Sequence, residues 1–383
     1  MARALYIHWP FCLAKCPYCD FNSHVRQGVD AAMWQAAMLA DMRHEAALAG
    51  GERLESIFFG GGTPSLMPPA LVAALLEEAE NLWGFAPGIE ITLEANPSSV
   101  EAANFAALST AGVNRVSLGL QSLDDKALKF LGRLHNAAEG LEALETAQKA
   151  FDRVNFDLIY ALPEQTAADW ETMLARALGF GTGHLSLYQL TIEPGTRFAT
   201  DVRRHAFTPM DSDPAAELFE LTQEIAREAG LPAYEVSNHA VPGEESLHNL
   251  TYWRYQDYAG IGPGAHGRRG GKATQRHRKP ENWLEAVQAT GNGLSEERIL
   301  APPEQAAEAV MMGLRLAEGI DTRALAVRFG LDETAIIDPA AEARMEAIGM
   351  VTREGPRLTV TPQGMLVLDA LLGELVADAL VAA

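Results

Sequence analysis

Short apolar strands alternate with helical stretches from residue 4 to about residue 192. Residues 31–50, 69–83 and 137–151 repeat apolar side chains at the helical period. This alternation is typical of βα units, whose strands pair in parallel. Six units are too few for a closed eight-stranded barrel, so the sequence predicts an α/β fold, a partial (β/α)6 TIM-like barrel. The candidate strands are residues 4–10, 54–60, 90–97, 115–122, 154–163 and 184–192.

Residues capable of chemistry stand where these candidate strands end. Cys12 follows the first strand, and the second strand runs into the sequence GGGTP at residues 60–64. Glu94 and Gln121 lie near the ends of the third and fourth strands, and the fifth strand carries Asp157. Barrels of this type build their sites at the C-terminal ends of the strands, so the sequence predicts one shared site for these residues.

Composition excludes some partners. Lys and Arg number 30 against 51 Asp and Glu, which gives a net charge of −21 and disfavours nucleic acid. No apolar run reaches the roughly 18–20 residues that span a bilayer. The N-terminus lacks a signal-peptide pattern. We therefore expect a cytoplasmic protein, and the sequence leaves peripheral membrane contact and a homodimer open.

Three regions are predicted along the chain. Residues 1–240 form the barrel core, and residues 241–299 form a segment rich in glycine and aromatic residues. Residues 300–383 combine helical patterns with a hairpin pattern at 350–361, which predicts a small winged-helix-like α+β domain. This last region has six Arg and no Lys against thirteen acidic residues, so DNA binding by it is disfavoured.

The three cysteines of the chain, Cys12, Cys16 and Cys19, lie within eight positions of each other. An odd number of thiols in a reducing compartment suits a metal better than a disulfide framework. A structural zinc ion needs a fourth ligand, for which His8 or His24 is available. A [4Fe–4S] cluster held by three thiolates has one iron open to an outside ligand. Both interpretations stay open on the residues alone.

The C-x₃-C-x₂-C spacing, with Tyr18 before the last cysteine, resembles the signature of the radical S-adenosylmethionine (SAM) superfamily. The resemblance implies a [4Fe–4S] cluster whose open iron binds SAM. The glycine-rich element resembles the second motif of that superfamily. It implies that Gly61, Gly62 and Thr63 bind the amino group of SAM.

The stretch YIHWPFC, residues 6–12, resembles the oxygen-independent coproporphyrinogen III dehydrogenase group within that superfamily. Three residues that the resemblance implies for the cofactor site also have a structural alternative. The alternative is a helix cap for Arg133, a partner of strand-end backbone groups for Gln121, and a buried hydrogen-bonded carboxylate for Asp157. The resemblance implies the following cofactor-site residues: Tyr6, Glu94, Gln121, Arg133, Asp157 and, at further ligand-proximal positions, Thr191 and His266.

Two departures put oxidative decarboxylation of coproporphyrinogen III in doubt. Phe21 stands where those dehydrogenases carry a further cysteine, and few residues precede the first strand. The stretch HNLTYW, residues 248–253, instead resembles a motif of a sister family of heme chaperones. That resemblance implies a protein that binds heme and delivers it to an acceptor protein. The alternatives are the anaerobic decarboxylase, another radical SAM enzyme, and a zinc-stabilised scaffold.

His248, Tyr252 and Trp253 are the candidate heme residues, because heme iron takes an axial imidazole and aromatic rings suit the macrocycle. The alternative for His248 is a capping histidine bonded to Asn249. Six cations crowd into residues 268–279 and suit the heme propionates, an acidic partner, or a solvated loop. They are Arg268, Arg269, Lys272, Arg276, Arg278 and Lys279.

Overall fold

The computed structural model describes residues 2–26, 28–49 and 51–377, apart from the side chain of Val100. The strands are β1 Ala4–Trp9, β2 Phe11–Cys12, β3 His24–Val25, β4 Leu54–Gly61, β5 Phe85–Ala95, β6 Arg115–Gln121, β7 Arg153–Tyr160, β8 His184–Gln189, β9 Asn238–Ala240, β10 Tyr258–Ile261, β11 His266–Arg269, β12 Lys272–Arg276, β13 Leu294–Ile299, β14 Ile320–Asp321, β15 Val351–Glu354 and β16 Arg357–Val360.

Helices alternate with these strands. They are α1 Ala31–Ala49, α2 Pro69–Trp83, α3 Ser99–Ala102, α4 Phe105–Thr110, α5 Asp125–Phe130, α6 Ala137–Ala150, α7 Ala167–Leu178, α8 Arg197–Arg203, α9 Ser212–Glu228, α10 Leu247–Trp253, α11 Pro280–Thr290, α12 Pro302–Gly313, α13 Thr322–Phe329, α14 Pro339–Ala347, α15 Pro362–Met365 and α16 Leu368–Leu375. Capping boxes begin α6 and α7, where Asn136 and Thr166 accept bonds from the first turn. None of the helices in the described ranges is long and apolar enough to cross a bilayer.

One large sheet organises the described part of the chain, in the order β13-β12-β11-β10-β1-β4-β5-β6-β7-β8-β9. The strands β1, β4, β5, β6, β7 and β8 pair in parallel, which confirms the six predicted βα units. β10 adds a further parallel strand beside β1, and β11 to β13 continue the sheet antiparallel. The glycine-rich segment therefore extends the barrel sheet instead of forming a separate layer.

The C-terminal region has its own apolar core. Helices α12, α13 and α14 precede the hairpin β15–β16, and β14 pairs with β16. Leu358 and Leu375 are fully buried in this core, and Tyr255, just after α10, packs into it from the barrel side. The order of helices and hairpin matches the sequence expectation, while the three predicted region boundaries stay predictions.

The cations of β11 and β12 are mostly buried, which corrects their interpretation as a ligand-facing patch. Arg276 is fully buried and donates to Glu45 at 2.7 Å and to Asp41 at 3.4 Å. Arg269 donates to the same Glu45 at 2.7 Å. These guanidinium groups fasten the antiparallel strands to α1, so they are not available for heme propionates.

Two more members of the run are also engaged within the protein. The guanidinium of Arg268 stacks over the ring of Tyr255 at 3.5 Å, and Lys272 donates to Glu297 at 2.7 Å. Only the last two of the six cations, Arg278 and Lys279, are exposed. The run has the pattern of a surface patch because sequence spacing does not reveal the partners, such as Asp41 and Glu45 of α1, that engage these cations.

Candidate functional site

The three cysteines line one cavity at the C-terminal ends of the parallel strands, which we call the thiol cavity. Its volume is about 140 Å³. The structure brings to it most of the residues that the sequence assigned to one site. These are Gly61, Gly62, Thr63, Glu94, Gln121, Arg133 and Asp157.

Each thiol lies close to a polar side chain. The Sγ of Cys12 accepts from Thr63 Oγ1 at 3.5 Å, the Sγ of Cys16 accepts from Arg133 Nη1 at 3.2 Å, and the Sγ of Cys19 lies 3.7 Å from Ser23 Oγ. Burial raises the pKa of the Cys12 and Cys19 thiols. Soft thiolates that share one pocket are the donor set an iron–sulfur cluster uses.

The geometry does not favour a single zinc ion. In the described ranges, no three His, Cys, Asp or Glu side chains are placed to hold one metal ion. His8 is engaged at both ring nitrogens, with Tyr6 Oη and with the carbonyl of Asn22, each at 2.9 Å. A cluster bonds each thiolate to a different iron, so it does not need the sulfurs to converge on one point.

The glycines after β4 bring backbone close to the cysteine strand. Gly61 has φ +112°, and a Cβ there would meet the His8 ring at 2.6 Å. A Cβ on Gly62 would lie 2.7 Å from the carbonyl oxygen of Phe11. The amide of Gly61 donates to Glu94 Oε2 at 3.2 Å. Only glycine lets this turn close against the strand that leads to Cys12.

Arg133 spans the thiol cavity and does not cap a helix. Its Nη2 donates to Asn96 Oδ1 at 2.6 Å and to the carbonyl of Gly119 at 2.9 Å, while Nη1 faces Cys16. Its Nε is buried without a partner among the described residues. Gln121, at the end of β6, has the left-handed φ of 68°. Sequence reasoning missed Asn96, which lies two residues beyond Glu94.

Two carboxyl groups lie in the floor of the thiol cavity. Burial, reinforced by the nearby Asp157, raises the pKa of Glu94 to about 8. Burial also raises the pKa of Asp157 to about 6, while bonds such as that from Ser117 Oγ at 3.2 Å oppose the rise. Asp157 is thus the hydrogen-bonded carboxylate that the sequence allowed, and it also faces the cavity. Such carboxyls suit a cationic ligand, which would favour their charged form.

A second space, the middle cavity, adjoins the thiol cavity and measures about 350 Å³. Phe21, Gly61 and Glu94 line both cavities. Tyr6 and the exposed His266 line the middle cavity and not the thiol cavity.

Thr191 lies in the loop after β8, is exposed, and lines neither the thiol cavity nor the middle cavity. The structure therefore does not bring Thr191 together with the other predicted cofactor-site residues.

A further cavity, of about 700 Å³, lies between α10 and the C-terminal region, and we call it the junction cavity. His248, Tyr252 and Trp253 line it together, and His248 and Tyr252 also line the middle cavity. The ring of His248 stacks on Phe58 with a centroid distance of 4.7 Å. The helical spacing of HNLTYW places these three side chains toward the same space.

One ring nitrogen of His248 is not engaged by the residues that the structure describes. Its Nδ1 is buried and has no hydrogen-bond partner in the described structure, and burial lowers its pKa to about 4. Nδ1 is therefore not bonded to Asn249, whose amide donates to Tyr234 Oη at 3.1 Å. The alternative of a capping histidine bonded to Asn249 is therefore wrong. The ring is neutral at ordinary pH and keeps a lone pair for a metal.

The side chain of Glu90, which sequence reasoning missed, accepts hydrogen bonds from the first turn of α10. This side chain is fully buried, and its Oε1 accepts from the amide of Leu247 at 3.0 Å and from that of His248 at 3.5 Å. Arg115 and Arg153 donate to its other oxygen at 2.9 and 3.0 Å. No sequence signal pairs Glu90 with residues more than 150 positions later.

Comparisons with known proteins identify the family of this chain. The model of the radical SAM superfamily matches residues 6–177, and that of the HemN C-terminal domain matches residues 300–367. Heme chaperone HemW of Escherichia coli K12 is 37% identical over 376 residues, which cover 96% of this chain and 97% of that protein. This chain belongs to the HemW family of the radical SAM superfamily.

Other relatives agree with membership in the HemW family. Radical S-adenosyl methionine domain-containing protein 1, mitochondrial, of Bos taurus is 43% identical over 326 residues, 83% of this chain and 74% of that protein. The solved structure of coproporphyrinogen III oxidase (HemN) from Escherichia coli has a TM-score of 0.82 at 22% identity, covering 97% of this chain and 89% of that one. That likeness shows the fold, and it confirms the predicted radical SAM barrel with a C-terminal domain.

Proposed function

We propose that this protein is a heme chaperone that binds heme, a [4Fe–4S] cluster and SAM, and passes the heme to an acceptor protein. The observation that carries the proposal is the free, neutral imidazole of His248 at the wall of the junction cavity. Relatives that cover nearly the whole chain bear the name heme chaperone. An uncharged imidazole binds heme iron without first losing a proton.

The thiol cavity fits a cluster and a sulfonium ligand. Cys12, Cys16 and Cys19 would hold three irons, and the Gly61–Thr63 turn would receive the amino group of SAM. When bound, the cluster supplies electrons to the sulfonium. Arg133 orients the loop of Cys16, and the carboxyl of Glu94 offers a charge to the cationic ligand.

The alternatives have weaker support. Phe21 is 61% exposed and lines the thiol and middle cavities where a further cysteine is expected in the coproporphyrinogen III dehydrogenases. A zinc-stabilised scaffold lacks a fourth ligand at His8, whose ring nitrogens are both engaged, and among the described residues His24 is not grouped with the cysteines to hold one metal ion. Neither alternative gives the free imidazole of His248 a role.

Heme titration of the purified, full-length protein tests the proposal. We expect a Soret shift that saturates at one heme per chain and a weaker affinity in His248→Ala. The matched control is His44→Ala, which removes a partly exposed histidine from α1, away from the cavities. Absence of a Soret shift in the unaltered protein, or an equal loss in both variants, contradicts the proposal.

A further inference from the structure

The junction cavity is lined by distant parts of the chain. One wall is the helix α10, a second is the segment from Met365 to Ala370 of the C-terminal region, and Tyr188 and residues 235–238 also contribute to the lining. Arg254, the residue after α10, donates to both carboxylate oxygens of Glu318 at 2.8 Å and so ties α10 to the C-terminal region. The C-terminal region therefore closes the space in front of His248.

The second wall is largely apolar. Met365, Leu366 and Val367 line it, and the ring of Trp253 on α10 lines the same cavity. A cavity of about 700 Å³ with one aromatic and one aliphatic wall is within the range that buries a flat organic ligand. The middle cavity has half that volume, and its lining includes exposed polar side chains such as that of Arg278.

Arg315 is the one cation among the described residues that line the junction cavity. Its Nη2 donates to Asp369 Oδ1 at 2.9 Å, and the Asp369 side chain is 91% exposed. An ion pair with so exposed a partner contributes little to stability. Arg315 Nη1 donates to the carbonyl of Met311, so it is Nη2 that can exchange Asp369 for a carboxylate oxygen of a ligand.

We propose that the junction cavity is the heme site of this chaperone and that Arg315 binds a heme propionate there. The inference rests on the proposed function and adds the C-terminal wall and a specific anionic anchor to it. Heme then lies between α10 and the segment Met365–Ala370, with iron on the His248 side and a propionate at Arg315.

Heme titrations of full-length variants test the assignment. Arg315→Gln is expected to weaken heme affinity about tenfold, as the loss of a charged hydrogen bond does. Arg278→Gln, which removes the matching cation from the middle cavity, is expected to leave the affinity unchanged. Asp369→Asn frees the guanidinium of its competitor and is expected to leave affinity equal or tighter.

A second ligand distinguishes recognition of the propionate charge from recognition of the shape of the macrocycle. Heme whose propionates are methyl esters offers no carboxylate, so it is expected to bind the unaltered protein and Arg315→Gln equally. If Arg315→Gln loses as much affinity for the ester as for heme, the inference is overturned, because the arginine would then support only the fold. Weakening by Arg278→Gln in place of Arg315→Gln also overturns it, yet leaves the chaperone proposal intact. Only the absence of heme binding in the unaltered protein removes both.

Discussion

Gly62 leaves no room for even one methyl group. Its Cβ would lie 2.7 Å from the carbonyl oxygen of Phe11 and 2.8 Å from the Phe11 nitrogen, both rigid backbone atoms. We expect Gly62→Ala to lower the free energy of unfolding by about 1–3 kcal/mol, as overpacking does. Iron incorporation should fall as well, because Cys12 directly follows Phe11. Urea denaturation and iron analysis measure the two effects.

The control for this change is Gly373→Ala on α16, where an added Cβ meets nothing within 4 Å. Alanine is the better helix former, so that variant should be as stable as the unaltered protein or slightly more stable. A Gly62→Ala variant that keeps full stability and full iron content would contradict the close approach at this turn.

Glu94 makes the stability of the ligand-free protein depend on pH. Its pKa is raised from the ordinary 4.5 to about 8, so the folded state holds a proton that the unfolded state has released. The free energy of unfolding should therefore decrease as the pH rises from about 4.5 to 8. In Glu94→Gln the contribution of this group to the decrease should be absent. The free energy of unfolding of the variant, relative to that of the unaltered protein, should therefore rise with pH and be most favourable near pH 8.

Denaturant titrations of apoprotein at several pH values between 5 and 8 measure the difference between the two proteins. Glu77→Gln, on the exposed face of α2, is the control and should show no such trend. A difference between Glu94→Gln and the unaltered protein that is constant with pH would rule out the raised pKa.

The site residues that could be predicted from the sequence are those that lie at the ends of the parallel strands. Gly61, Glu94, Gln121 and Asp157 reach one cavity because parallel strands end at the same edge. Thr191 also follows a strand, yet the loop after β8 leaves it exposed and away from the thiol cavity. The distance of a side chain from a strand end along an irregular loop is set by tertiary contacts, which the sequence does not show.

The helix α10 depends on one buried carboxylate. Removing it in Glu90→Ala leaves Arg115, with 2% of its side chain exposed, without its carboxylate partner. We expect a loss of about 3–5 kcal/mol in the free energy of unfolding. Glu90→Gln should lose less, because its amide oxygen can still accept from the amides of α10. Chemical denaturation measures both.

The comparison for this change is Glu244→Ala, which removes a carboxylate that pairs with Arg153 but is 42% exposed. Its cost should stay at about 1 kcal/mol or less. Equal costs for Glu90→Ala and Glu244→Ala would show that Glu90 does not carry the start of α10.

Two cations from the same run should behave differently. Arg276→Ala leaves the buried Asp41 without a guanidinium and Glu45 with that of Arg269 alone, and we expect about 3–5 kcal/mol of destabilisation. Lys279→Ala changes an exposed residue and should stay within about 0.5 kcal/mol of the unaltered protein. Thermal and denaturant unfolding of the two variants would show the contrast, and similar small effects in both would restore the solvated-loop interpretation.

Helices and parallel strands were predictable because their periods appear in local sequence. The antiparallel extension β11 to β13 was not, since its strands are short and lie beside carboxylates of α1 more than 200 residues earlier. The charge run at residues 268–279 predicted a surface because charges usually face water. Burial of an ion pair is decided by the partner, and the partner is distant in sequence.

Across the molecule, three cavities adjoin one another from the cysteines to the C-terminal region. The thiol cavity shares Gly61 and Glu94 with the middle cavity, and the middle cavity shares His248 and Tyr252 with the junction cavity. No described residue lines both the thiol cavity and the junction cavity. The two proposed ligand sites are thus neighbours through the middle cavity but are built from separate side chains.

This separation predicts the behaviour of a variant with Cys12, Cys16 and Cys19 all changed to Ala. Anaerobically purified variant should contain neither iron nor acid-labile sulfide beyond background, while its heme affinity stays within about twofold of the unaltered protein, because effects at sites without shared residues are independent. His248→Ala is the reciprocal control and should keep its iron and sulfide while heme binding weakens. Loss of heme binding in a triple-cysteine variant that unfolds normally would mean that a thiolate, and not His248, ligates the heme.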